Sequence, residues 1–66
     1  MDPKRRGMRL KQLRKDRHLT QAALAEKVKI HRVYLAHLEA GTKTPSLGTL
    51  ERLAKALGVP VAELLE

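Results

Sequence analysis

The side chains best placed to act on a partner lie between Arg32 and His37. If this stretch is helical, Leu35 and Leu38 face a core, and Arg32, Val33, Ala36 and His37 are left outward. Arginine and histidine there can hydrogen-bond or meet an anion, but little around them points to bond-making chemistry. The three histidines are His18, His31 and His37, with no HxxxH pair on one helix face. No cysteine and no Asp or Glu cluster completes a metal site. There is no phosphate-binding glycine loop. Catalysis is therefore set aside and no cofactor is expected.

Those outward residues need a scaffold, and the segment Leu19–Leu38, LTQAALAEKVKIHRVYLAHL, supplies it. Thr20 can cap a helix, because its hydroxyl accepts from an amide two or three residues on. Leu24, Ala25 and Val28 recur at helical spacing. The pattern breaks at Lys29 and Ile30 and resumes at Leu35 and Leu38. A short basic helix braced by another, on a positive chain, is the pattern expected of a reader of the DNA major groove.

Length and charge narrow the partners. The chain has 66 residues, enough for one domain, and a domain this small buries only roughly 60% of the surface its unfolded chain exposes. It has no run of about 18 apolar residues, so no membrane span is expected, and its basic N-terminus lacks the apolar segment of a secretory signal. Formal net charge is +7, unevenly spread. Residues 1–17 hold eight Lys or Arg against Asp2 and Asp16, whereas residues 39–66 hold three against Glu39, Glu51, Glu63 and Glu66. Such polarity suits a polyanion, whose counterions are released as phosphates are neutralised. A solvated, lysine-rich surface that keeps a small protein soluble would look the same by charge alone.

Five helices and no strand are predicted, giving an all-α compact bundle. The first spans about Gly7 to Arg17, with Leu10 and Leu13 on the core. Asp2 and Pro3 form an N-cap and N1 pair that would start it earlier, across Gly7, a weak helix former. The second runs from Thr20 to Val28 and the third from about Arg32 to Ala40, where Gly41 ends it. Thr42 to Pro45 form a loop, and Ser46 caps a fourth helix with Leu50, Leu53, Ala54 and Leu57 inward. Gly58 ends that helix, and VPVAELLE makes a short fifth. Residues 1–5 read as a basic tail that can extend the first helix, and residues 6–66 as the domain.

The span Gly7 to Leu65 resembles the Cro/repressor-type (XRE-like) helix-turn-helix family of bacteria and phages. The matching segments are LTQAALAEKV, YLAHLEAG and TPSLGTLERLAKALGV. Helix-turn-helix spacing alone is a weak signal. Thr20-Gln21, Glu39-x-Gly41, Pro45-Ser46-Leu47 and Leu57-Gly58-Val59 together make a strong one. The resemblance implies a lambda-repressor-like, five-helix domain that binds double-stranded DNA, usually as a two-fold dimer on a near-palindromic operator.

On that resemblance Arg32, Val33 and His37 are the base-facing positions. Arg32 would pair with guanine O6 and N7, Val33 would pack on a thymine methyl, and His37 would donate to a base edge or a phosphate. Gln21, Lys29, His31, Tyr34 and Lys43 are expected at phosphates. Arg14 and Glu39 match a pair that bridges the first and third helices, a structural role. Four departures stand out. His31 caps the recognition helix where the family often has Ser or Thr. Lys29 and His18 replace frequent glycines, where positive φ is costly for them. Pro60 replaces a common cap. Tyr34 reads equally as a structural ring at the core edge.

A homodimer is expected through the last helix (Val61, Leu64, Leu65), since these residues with Val59 exceed what one short helix can bury. The expected setting is cytoplasmic, at the nucleoid, with no small-molecule effector site within these residues. A protein-interaction module or antitoxin on the same fold is the alternative. One tyrosine and no Phe or Trp argue against stacking on RNA.

Overall fold

The structure, a computed structural model, describes residues 2–65. Asp2 starts the first helix: its Oδ1 accepts from the Lys4 amide at 3.0 Å and Pro3 takes the first helical position. Helix α1 therefore runs Pro3–Asp16, beginning at Pro3 rather than Gly7. Gly7 is not a weak point but a contact. A Cβ there would lie 2.5 Å from the Leu38 carbonyl oxygen and closer still to that of Glu39. Only glycine lets α1 come this close to the third helix.

Helices α2 (Gln21–Val28), α3 (Arg32–Ala40), α4 (Leu47–Leu57) and α5 (Val61–Leu65) follow. Thr20 Oγ1 accepts from Ala23 N at 3.0 Å and Ser46 Oγ from Thr49 N at 3.1 Å, the expected caps of α2 and α4.

Helices α1 to α4 all end the same way. The residue after the last turn takes positive φ: His18 (57°), Lys29 (61°), Gly41 (79°) and Gly58 (70°). The next amide then reaches back five residues to a carbonyl: Leu19 to Arg14, Ile30 to Ala25, Thr42 to His37, Val59 to Ala54, at 3.0–3.2 Å. This Schellman closure satisfies carbonyls that the helix end would leave unpaired. Two of the four closures use a side-chain-bearing residue, so backbone strain sits at His18 and Lys29.

Leu24, Leu35 and Leu53 are fully buried, one each from α2, α3 and α4. Leu10, Leu13, Leu38, Leu50, Leu57 and Leu64 complete the core with Ala25, Val28 and Ala54. Ile30 packs half-buried at its edge. Helix α5 packs on α4 and α1, and Arg9 NH2 meets Glu63 Oε1 at 2.7 Å to pin it. This corrects the reading of the last helix. Leu64 is 2% exposed, inside its own domain, and cannot serve a dimer surface. Val59, Val61 and Leu65 lie half-buried against the same core. The apolar excess shrinks because α1 packs against α5 as well as α4 does, leaving Val61 and Leu65 half-buried.

Candidate nucleic-acid interface

The arrangement of α3 decides what the domain can present. Its inner face carries Leu35, Leu38 and Glu39, all buried; its outer face carries Arg32, Val33 and His37, all exposed. Val33 is 46% exposed, unusual for a branched apolar residue in so small a core.

Glu39 holds this helix in place. Arg14 Nε donates to Glu39 Oε2 at 2.6 Å and its NH2 to Oε1 at 3.1 Å, a two-point pairing. Arg14 NH1 also donates to the Leu19 carbonyl at 2.7 Å. Gln21 Nε2 adds a third bond to the carboxylate, 3.1 Å from Oε1. The side chains of Arg14 and Glu39 are only 8% and 3% exposed. Both ions are thus desolvated but satisfied, and removing one partner from such a pair costs about 3–5 kcal/mol. One carboxylate ties α1, α2 and α3 together and fixes the direction in which α3 faces outward.

The turn before α3 solves its own problem with an uncommon residue. His31 Nδ1 accepts from Val33 N at 3.1 Å, so the imidazole does what Ser or Thr ordinarily does there. The free amides at the starts of α2 and α3 are ready for anions, beside exposed Lys29 and His31 and half-buried Gln21. Gln21 spends one amide proton on Glu39 and so braces α3. Lys43 lies exposed in the loop after Gly41. Lys29, Arg32 and Lys43 have no ion-pair partner among the described residues. Tyr34 packs its ring, half-buried, against the core.

One participant carried no expectation from sequence. Thr42 Oγ1 sits 2.9 Å from His37 Nδ1. The signal was present in HLEAGT: a glycine closing a helix brings the following residue back over the residue five before it. His37 is exposed, with one ring nitrogen engaged and the other without a partner among the described residues.

Among the described residues no group of His, Cys, Asp or Glu is assembled as a metal site. No helix among the described residues is long and apolar enough to cross a membrane.

A short helix braced by a second across a tight turn, with a polar face outward, defines a helix-turn-helix domain. The helix-turn-helix family profile matches residues 10–64, and the chain belongs to this XRE-type family of DNA-binding transcription regulators. It is 49% identical over 59 residues to the immunity repressor protein of Bacillus phage phi105, covering 89% of this chain and 41% of the repressor. The chain thus spans less than half the length of that relative. The restriction-modification controller C.AhdI from Aeromonas hydrophila has the same fold, with a TM-score of 0.93, 35% identity and 96% of each chain covered. SinR, the master regulator for biofilm formation, of Bacillus subtilis, solved in complex with DNA, superposes with a TM-score of 0.88 and 35% identity, covering 92% of this chain and 98% of that one.

Proposed function

We propose that this chain is the DNA-reading part of a small prokaryotic or phage transcription regulator, which binds an operator sequence-specifically and catalyses nothing. Helix α3 lies in the major groove. Arg32 pairs with a guanine, Val33 packs on a thymine methyl and His37 meets a base edge. Gln21, Lys29, His31 and Lys43 take phosphates around it, and the Tyr34 hydroxyl reaches one from the core edge. The observation that carries this reading is the division of α3: Arg32, Val33 and His37 exposed on a helix whose other face is clamped through buried Glu39. A fixed helix can hold side chains in register with base edges. SinR, similar over nearly its whole solved chain, was crystallised with DNA, which supports the same use here. Such a regulator works in the cytoplasm, at the nucleoid. As a dimer it spans half-sites about 34 Å apart.

Selection from a random duplex pool tests the reading, at about 150 mM salt to suppress purely ionic binding. An enriched inverted repeat is expected. Arg32→Ala should flatten the preference at one base pair per half-site by about 1–3 kcal/mol, while Lys43→Ala should weaken every sequence alike. A pool that never enriches, despite binding at low salt, would remove sequence-specific reading.

A further inference from the structure

Thr42 engages one ring nitrogen of His37. Its Oγ1 lies 2.9 Å from His37 Nδ1 and 3.2 Å from the His37 carbonyl oxygen. A threonine hydroxyl has one proton, and a carbonyl oxygen only accepts. With that proton donated to the carbonyl, Oγ1 is left to accept from Nδ1–H. The Thr42 amide, bonded to the same carbonyl at 3.0 Å through the Gly41 closure, holds the threonine in place. With its proton on Nδ1, the neutral ring has a lone pair on Nε2, which has no partner among the described residues.

We propose that His37 reads the operator as a hydrogen-bond acceptor and selects a base with an exocyclic amino group, adenine or cytosine. The inference rests on α3 being the groove helix. In the major groove adenine N6 and cytosine N4 donate, whereas guanine and thymine present acceptors that would face the Nε2 lone pair. Donation by His37 to a base, as the sequence alone led one to expect, is then replaced by its opposite. The reading face becomes complementary along its length, with a donor-only Arg32 at one end and an acceptor at the other. His31 supplies an internal contrast. Its Nδ1 accepts from Val33 N, so its proton is on Nε2, the arrangement suited to a phosphate.

Long-range proton–nitrogen correlation spectra of the free protein, in mildly alkaline buffer, distinguish the tautomers. His37 should carry its proton on Nδ1 and His31 on Nε2. Thr42→Val should move His37 toward the other form. In the selected operator, the base whose preference His37→Ala erases should be adenine or cytosine. Replacing it by purine or by pyrimidin-2-one removes only the amino group. That should weaken the unaltered protein about tenfold and leave His37→Ala indifferent. A proton on His37 Nε2, a guanine or thymine at that position, or equal losses in both proteins would overturn the proposal while α3 stayed in the groove. A pool with no selected sequence would overturn the groove reading and this proposal with it, even with the tautomer as expected.

Discussion

Lys29 holds φ at 61° in the turn between α2 and α3, a conformation in which an L side chain crowds its own backbone. Lys29→Gly should therefore raise stability by about 1 kcal/mol in urea unfolding. If the ammonium also meets a phosphate, the same variant should bind DNA more weakly, with a salt dependence shallower by about 0.9. Greater stability with unchanged binding would leave Lys29 a tolerated turn residue and nothing more. The strain itself was legible in sequence, because a lysine stood where a turn needs positive φ. The resemblance put His31 at the cap position but marked histidine as a departure from Ser or Thr; that its Nδ1 takes the Val33 amide came from the structure. The Thr42–His37 contact was signalled only in part: Gly41 announces that the chain turns back over His37, but how closely Oγ1 meets the ring depends on torsion angles rather than on residue type.

At the level of elements, α1 is the piece against which the groove helix is set. It approaches α3 at Gly7, bridges it through Arg14, and reaches α4 where Arg17 Nε donates to the Leu57 carbonyl. Gly7→Ala should destabilise the domain by about 2 kcal/mol, a fall in Tm on the order of 10 °C, because the methyl meets backbone carbonyls that cannot turn aside. Gly48→Ala in α4 is the control. Its nearest neighbour would be Ser46 Oγ at 4.0 Å, and it should stabilise by about 0.5 kcal/mol. Equal effects in thermal melts would mean that the two helices can separate at Gly7 without cost. Helix positions followed from caps and apolar spacing, and the ends set by Gly41 and Gly58 stand where glycine put them. The early start of α1 was signalled by Asp2 and Pro3, but the role of Gly7 was not, because helix propensity counts glycine as a cost and has no knowledge of what packs on it.

Across the whole molecule, the expected pairing surface is narrower than the residues of α5 implied. Leu64 belongs to the core, which leaves half-buried Val61 and Leu65 as the apolar part of α5 that a second copy could cover. Sedimentation with a selected inverted repeat should find two chains per duplex, and Val61→Asp with Leu65→Asp should reduce this to one at the same protein concentration. One chain per duplex for the unaltered protein at high micromolar concentration would remove the α5 dimer. The misjudged leucine has a plain physical source: periodicity places a residue on a helix face but does not say which neighbour covers that face.

The division of α3 into buried Leu35, Leu38 and Glu39 and exposed Arg32, Val33 and His37 has a consequence for descent. Substitutions on the outer face leave the core and the Glu39 clamp untouched, so what this helix recognises can change without the domain having to refold around it. Two chains with this architecture could share nearly every inward residue and still answer to unrelated partners.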